Sequence, residues 1–401
     1  MSKYRIYEPG ERQAALERRR LRKMARTAHG YVRGNTRHFY EWLGQMPDLA
    51  LPETPPIWIC GDCHIENLGA LAGSDGSIAV QIRDFDQSVI GHPGHDLIRL
   101  CLSLASAARS SDLSGTVTAR MVEEVVRNYA LALARGRRDE VPKAPELVEA
   151  TQRCAFDRSW KHLAKDRLKH KTPSIEPGKK FWPMAAEERT AVVALFAQPA
   201  IRDLVLKLHR REAETRIEVV DAAYWVKGCS SLELLRYAAI IEIRDGGKAP
   251  SYALFDIKEA EAPIAPAARP EAMPNDPAKR VVAGARALSP ILGERMATGR
   301  VMDRPMFVRE LLPQDLKIEV DQFASKSALG VAGYLAYVVG DSHGRLMDAE
   351  ARKDWRRTVR QRGTAEIDAP DWLWKSVVAM SGRHEAAYLD HCCAHDLIYR
   401  H

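Results

Sequence analysis

The sequence predicts an α+β protein whose helices and strands divide into two lobes. Its 401 residues are more than one ordinary hydrophobic core accommodates. Three strand-like runs, 217–226, 237–243 and 252–257, follow one another across polar turns such as Asp245-Gly246-Gly247, the pattern of an antiparallel meander. Stretches of helical periodicity, 96–109, 117–135 and two more near the C-terminus, stand on either side of that meander.

Composition narrows the class. With 46% hydrophobic and 28% charged residues the chain reads as a soluble globular protein, and no apolar run approaches bilayer length. The N-terminal MSKYRIYEPGERQ carries no signal-peptide core, so a cytoplasmic location is expected. Seven scattered cysteines read as reduced thiols; Cys60-x-x-Cys63 is half a zinc site without a second half at ligand spacing. The net charge of +7 gathers partly at Arg18, Arg19, Arg20, Arg22, Lys23 and Arg26. Because Leu16, Leu21 and Met24 recur there with helical spacing, the run reads as a helix with one packed and one solvated face, not as a nucleic-acid surface.

The chemistry concentrates between Ile57 and Leu97. Runs 57–60 and 78–82 are short, β-branched and bounded by Gly, Ser and Asp, as strands are. Asp62 follows the first run; Asp84 and Asp86 follow the second. Acids at the ends of neighbouring strands converge on one cleft, where carboxylate and amide oxygens hold a divalent cation, and Asn67 offers such an amide. Phosphoryl transfer needs this set: an acid to orient the nucleophile, an amide and an acid for magnesium.

These residues also carry a resemblance. Gly61-Asp62-Cys63-His64-Ile65-Glu66-Asn67 resembles the HGDxHxxN catalytic loop of aminoglycoside phosphotransferases and related small-molecule kinases. Ile82-Arg83-Asp84-Phe85-Asp86 is similar to their magnesium-binding IDF segment, and GHPGHDL at 91–97 to their GDPxxDL. Tyr31-Val32-Arg33-Gly34, CGDCHIENLG and RDFDQSVIGHPGHDLIRL more closely resemble an uncharacterised bacterial family of distantly kinase-like proteins. Cys60 replaces the His of the phosphotransferase loop, and Asp86 the Gly of the kinase DFG. The resemblance implies a two-lobed protein-kinase-like fold that binds ATP and Mg²⁺. It gives Asp62 the acceptor, Asn67 and Asp84 the metal with Asp86 as a second acid ligand, and His64 the positioning of the loop by hydrogen bonding. Asp96 reads as a helix N-cap that, in kinase-like folds, also braces the catalytic loop. Arg33 and Gly34 belong to the family pattern without an evident mechanism, and His92 and His95 read as turn residues rather than ligands.

Beyond the helices at 96–135 lies a lysine-rich connector, 136–185, with a helix expected at 145–165. One or two helices over 187–211, joined near Pro199, precede the meander. The lysine of FDIKEA, Lys258, resembles the β3 lysine of a kinase small lobe, and the turn Lys227-Gly228-Cys229-Ser230-Ser231 stands where such a lobe covers the phosphates, with less glycine than that pattern usually carries and with Gly228, Ser230 and Ser231 offered to the phosphates. A Pro-rich linker, 263–277, leads to a helix at 278–288 in the place where kinases present a Glu to that lysine. No acid stands inside it, and Glu261, Glu271 and Glu294 all remain candidates. The strand 305–312, with Glu310 and Leu312, resembles the hinge whose backbone pairs with adenine; helices at 326–340 and 371–399 follow. The expected division is 1–212 for a large lobe, 213–313 for a small nucleotide-binding lobe, and 314–401 for helices completing the large one. In ordinary kinases the lysine and hinge precede the catalytic acid, whereas here they follow it, so the fold is expected to be circularly permuted.

The function expected is phosphoryl transfer from ATP to an unknown small molecule or protein, with AMP transfer equally open. Two alternatives remain: a nucleotide-binding scaffold without turnover, favoured by the glycine-poor turn, and a metallophosphoesterase, from the DxH of Asp62 and His64.

Overall fold

The computed structural model describes residues 5, 7–46, 50–73, 76–134, 142–157, 173–208, 215–244, 250–317, 325–363 and 366–395. The chain is a mixed α+β protein with antiparallel sheets. Three N-terminal helices, α1 (Arg12–Met24), α2 (Ala28–Gly34) and α3 (Thr36–Gly44), lead into the strands β1 (Ile57–Ile59), β2 (Leu68–Ala72), β3 (Ile78–Ile82) and β4 (Val89–Gly91). Helices α4 (Pro93–Ser110), α5 (Gly115–Ala134) and α6 (Glu146–Asp157) follow. The next group is β5 (Phe181–Trp182), α7 (Ala186–Leu195), α8 (Pro199–Lys207), β6 (Arg216–Trp225), β7 (Arg236–Arg244) and β8 (Ser251–Glu259). Then come α9 (Pro277–Leu288), α10 (Pro290–Gly293), β9 (Met296–Val301), β10 (Arg304–Leu311), β11 (Leu316–Lys317), α11 (Ser325–Gly344), α12 (Ala349–Val359) and α13 (Asp371–Ala394).

The meander is present and larger than expected. Strands β6, β7 and β8 form the centre of a six-stranded sheet in the order β5-β6-β7-β8-β10-β9, with every pair antiparallel. Residues alternate between its faces. Tyr237, Ala239, Ile241, Phe255, Ile257, Met306 and Val308 pack one face against Val192, Leu195, Ile201 and Val205 of α7 and α8. The other face carries Ala238, Ile240, Leu254 and Leu311 in a small apolar cluster, and beside them Arg236, Asp256, Lys258 and Arg309.

A second and larger core joins α4, α5, α11 and α13 with the strand pairs β1-β4 and β2-β3, and takes Val281, Val282 and Ala285 from α9. The helix α9 therefore ties the sheet to the helical part. It opens with Asp276 accepting from the Lys279 amide at 2.9 Å and with Pro277 at its first position, where the missing N–H costs nothing. Gly284 on α9 lets it approach Ser88: a Cβ there would lie 2.3 Å from Ser88 Oγ, whose hydroxyl donates to the Phe85 carbonyl at 2.8 Å.

Several expectations shift. Of the helices expected over 187–211, the described part, α7 and α8, packs on the six-stranded sheet rather than with the helical core, because its apolar positions face the strands. The basic helix α1 does the same through Ala15 and Leu16, while Arg12 reaches Glu188 of α7 at 2.7 Å and Tyr237 donates to the same carboxylate. Asp96 is not the N-cap of α4: His92 is, its Nδ1 accepting from the Gly94 amide at 2.9 Å. Of the helix expected at 145–165, α6 covers Glu146–Asp157 and the remainder lies outside the described residues, as do the Asp245-Gly246-Gly247 turn and the end of the helix expected to run to 399. All seven cysteines are free thiols. Among the described residues no helix is long and apolar enough to cross a membrane.

Gly284→Ala forces its methyl into the pinned Ser88. An overpacked contact of this kind costs about 1–3 kcal/mol, read as a lower urea midpoint with an unchanged m-value.

Candidate functional site

The loop after β1 turns at Gly61, whose φ of +73° is the left-handed conformation and whose absent Cβ would lie 2.1 Å from the Gln87 carbonyl. The turn aims two amides inward. Asp96, fully buried in the first turn of α4, accepts from Cys60 N at 2.8 Å and Gly61 N at 2.9 Å. His343 of α11 approaches the same carboxylate at 3.2 Å, and its Nδ1 lies 2.8 Å from Tyr129 Oη, which takes the Trp355 indole N–H at 2.9 Å. The proton order is self-consistent: with the Tyr129 oxygen accepting from Trp355, its O–H donates to His343 Nδ1, and Nε2–H donates to Asp96. Asp96 thus braces the loop through its backbone.

Within the loop, Asn67 Nδ2 donates to the Asp62 carbonyl at 2.8 Å, which leaves the Asn67 amide oxygen as the group's acceptor. The Asp62 carboxylate accepts from Arg99 Nε at 2.8 Å; Arg99 is fully buried, one turn beyond Asp96 on α4, and its Nη2 donates to the Val32 carbonyl at 2.8 Å. His64 positions the loop through its main chain, donating to Asp62 O and accepting from Asn67 N. Its ring does not do so: Nε2 stands 4.0 Å from Asp62, beyond hydrogen-bond reach, and Nδ1 has no partner. Burial pulls the His64 ring down to about 4, so it is neutral. Arg33 of α2 pairs with Glu66 at 2.7 Å and so ties α2 to this loop, while Gly34 allows α2 to touch Met24 and Cys229.

The second acidic segment follows β3. Strand pairing sets Leu68 opposite Ile82, and Arg83 N donates to Asn67 O at 2.8 Å, so Asn67 sits across from the residue before Asp84. Burial opposes ionisation of Asp84, but Lys258, then Arg309 and Arg236, hold its carboxyl well below the usual carboxylate range. Asp86 moves the other way: burial and the neighbouring Asp84 raise it. Asp86 is ion-paired with Lys258 through Oδ2, and its buried Oδ1 has no partner. The helix α9 supplies no acid to Lys258, since none of Glu261, Glu271 and Glu294 lies on it. It places Arg280 there instead, donating to the carbonyls of Ser88, Asp86 (2.7 Å) and Glu261 (3.0 Å).

Beside Lys258 on the same sheet face, Asp256 is fully buried between two guanidinium groups, with Arg236 Nε at 2.7 Å and Arg309 Nη2 at 2.9 Å; Lys227 stands at 3.8 Å. Arg309 also donates to the Arg83 carbonyl at 3.1 Å, a second tie between the sheet and the acidic segment. The register of Arg236 with Lys258 puts the turn after β6 at the lysine's end of the sheet. There Gly228 has a φ of +110° and accepts from Lys23 at 2.5 Å, Cys229 packs with Met24 and Tyr31, Ser230 is exposed and Ser231 half-buried. The hinge-like groups fit less well. Glu310 alternates with Arg309 and so faces away from Lys258, and the Leu312 amide is taken by Asp315 at 3.2 Å, a carboxylate that also receives Arg295.

Among the described residues no group of three or more His, Cys, Asp and Glu side chains is arranged to hold a metal ion; the set Asn67, Asp84 and Asp86 counts two carboxylates and an amide. Residues 12–394 match the model of a family described as an uncharacterized protein conserved in bacteria (DUF2252). The chain belongs to that family. The DUF2252 match runs from α1 through α13 and so encloses both acidic segments and Lys258. No curated protein and no solved structure matches the chain.

Sequence reading missed Arg99, Asp256, Arg236, Arg309 and Arg280. Asp256 and Lys258 are two apart on one strand, which is a legible signal; the arginines that answer Asp256 come from other strands and leave none.

Asp96→Ala strands the amides of Cys60 and Gly61 in the core, and breaking a buried charged contact of this kind costs about 3–5 kcal/mol, measurable by denaturant unfolding. Burial also holds His64 and His95 at about 4 and His384 at about 3. These depressed values mean the unfolded chain binds more protons below its ordinary histidine pKa, so stability present at neutral pH falls as the pH drops from about 6.5 toward 4. Urea midpoints between pH 7 and 4.5 check the sign, and His95→Gln flattens the slope.

Proposed function

We propose that the chain is an ATP- and magnesium-dependent, kinase-like phosphotransferase whose site lies where β8 meets the 60–67 loop and the 83–86 segment. The observation that carries the reading is the ion pair between Lys258 and Asp86, groups 172 residues apart in the chain. The order of elements supports it: a lysine on the third long strand of a meander, then a helix, then two strands, as in a kinase small lobe. That unit follows the acids in sequence instead of preceding them, an order that a circular permutation of the kinase arrangement would reconcile.

The residues suit a metal–nucleotide complex. Asp84 is kept ionised by nearby cations, Asp86 has a buried oxygen without a partner, and the Asn67 amide is oriented by its bond to Asp62. Bound there, magnesium–ATP supplies the transferable phosphoryl group and the charge that neutralises it. Asp62, with one carboxylate oxygen on Arg99, keeps the other for the acceptor's hydroxyl proton. Asn67, Asp84 and Asp86 would hold the magnesium ion, and Lys258, which pairs with Asp86, would contact the α and β phosphates. A second reading, nucleotide or phosphate binding without turnover, draws on two observations: the Leu312 amide is already occupied, and the Asp256 cluster lies on the sheet face beside Lys258.

Thermal unfolding with Mg²⁺ and ATP tests the site, since ligand at 100 times its Kd adds about 2.7 kcal/mol of stability. The shift is expected in the native chain and lost in Asp84→Asn and Lys258→Met; its absence in the native chain sinks the reading. Asp62→Asn should keep the shift and lower transfer by about 10²–10⁴-fold. ATP labelled at the γ or the α phosphate separates phosphoryl from AMP transfer, and a shift without either product selects the second reading. A response to manganese or zinc without nucleotide points to the esterase.

A further inference from the structure

Helices α1 and α2 meet between the turn after β6 and the loop that carries Asp62. Helix α1 packs on the six-stranded sheet, and its Lys23 donates to the Gly228 carbonyl of that turn at 2.5 Å. Helix α2 packs on the helical core through Val32, and its Arg33 pairs with Glu66 of the loop at 2.7 Å. Met24, Tyr31 and Cys229 form a small apolar cluster where the two helices meet the turn. Cations crowd Lys23: Arg19 one turn earlier on α1, Arg33 on α2, and Arg26 in the bend between the helices. Burial, and after it these arginines, bring the Lys23 ammonium down to about 8; the group that opposes them is the Cys229 thiol rather than a carboxylate. The chain leaves these charges largely unanswered. Among the described residues Arg26 has no ion pair, Arg19 donates to the Lys179 carbonyl at 2.8 Å, and Glu66 is the carboxylate paired within the group; the nearby Glu233 is taken by Arg20 at 3.1 Å. All four cations are open to an incoming molecule: the Arg33 side chain is 33% exposed, Arg26 is exposed, and Arg19 and Lys23 are half-buried. Four accessible cations against one carboxylate attract an anion that the chain does not supply.

We propose that Lys23 and Arg33, with Arg19 and Arg26 beside them, form a subsite for an anionic group, a carboxylate or a phosphate, on the acceptor that Asp62 receives. Placement supports the assignment. Glu66, the partner of Arg33, belongs to the same loop as Asp62, and Arg33 and Asp62 both act on the His64 ring between them. Val32, next to Arg33, gives its carbonyl to Arg99, the residue that holds Asp62. Arg33 directs Nη1 at Glu66 and keeps Nε and Nη2, a fork that matches the paired oxygens of a carboxylate or a phosphate. In naming an acidic acceptor the subsite rests on the phosphotransfer reading; as an anion site it stands on the cation cluster alone.

Thermal unfolding of the full chain without nucleotide or metal, at fixed ionic strength, with glycerate, glycerol 3-phosphate and glycerol as probes, tests it. Glycerate or glycerol 3-phosphate should raise the midpoint saturably and glycerol should not; which of the two acts separates a carboxylate site from a phosphate site. Lys23→Gln should weaken that binding roughly 10-fold or more, the worth of one charged hydrogen bond. Arg26→Gln, at an exposed side chain, should weaken it less, and Lys258→Met should leave it intact. Transfer from γ-labelled ATP into a small-molecule extract should then fall in Lys23→Gln when the extract is dilute and recover when it is concentrated, a change of KM rather than kcat. No saturable shift with either anion, an equal shift with glycerol, or an anion shift unchanged in both Lys23→Gln and Arg26→Gln overturns the subsite. Transfer lowered equally at every extract concentration overturns its place on the acceptor. Loss of the Mg²⁺–ATP shift in the native chain, by contrast, sinks the phosphotransfer reading while the anion shift stands.

Discussion

The carboxylate of Asp96 is the contact on which the rest of the site depends. A fully buried acid must be answered, and it is answered by two backbone amides of the 60–67 loop and by His343. Because both amides belong to the turn at Gly61, satisfying the acid also fixes where Asp62 and Asn67 point. The brace extends through Tyr129 to Trp355, so the loop is referenced to α5, α11 and α12 together rather than to its own short strands. Arg99, three residues further along the same helix, applies the same logic to the Asp62 side chain.

The sheet meets the neighbouring 83–86 segment through charge. Lys258 and Asp86 pair directly, and Arg309 spans from Asp256 to the Arg83 carbonyl. Burial would drive a lone carboxylate in this place toward its neutral form. The surrounding cations divide the two aspartates instead, keeping Asp84 charged and leaving Asp86 raised beside it. Such a split arises wherever buried acids share cations, in functional clefts and in structural ion-pair networks alike. The Asp256 cluster sets the local character of the same face: where the sheet could present an apolar surface beside the lysine, it presents two arginines locked on a buried acid.

Much of the loop was readable because its chemistry is local. Asp62, Asn67, Asp84 and Asp86 lie within 25 consecutive residues, bounded by strand-like runs that the structure realises as β1 and β3. The meander was readable for the same reason, its alternation being written along each strand. His64 carries the loop's hydrogen bonds through its main chain, and main-chain roles do not depend on side-chain type, so the residue itself does not mark them. The packing of α7 and α8 on the sheet was not readable, since an apolar helix face does not name the surface that covers it.

By itself, then, the sequence determined the α+β class, the strand periods, the acids and the amide that share one loop, and the lysine two residues from Asp256. Only the tertiary structure decided which cation answers which acid: Lys258 with Asp86, Arg99 with Asp62, Arg236 and Arg309 with Asp256. The physical reason is that periodicity and turn chemistry act over a few residues, whereas ion pairing under burial acts over a few ångströms. Chains bring those ångströms together from segments as far apart as 172 residues, by packing that no local pattern encodes.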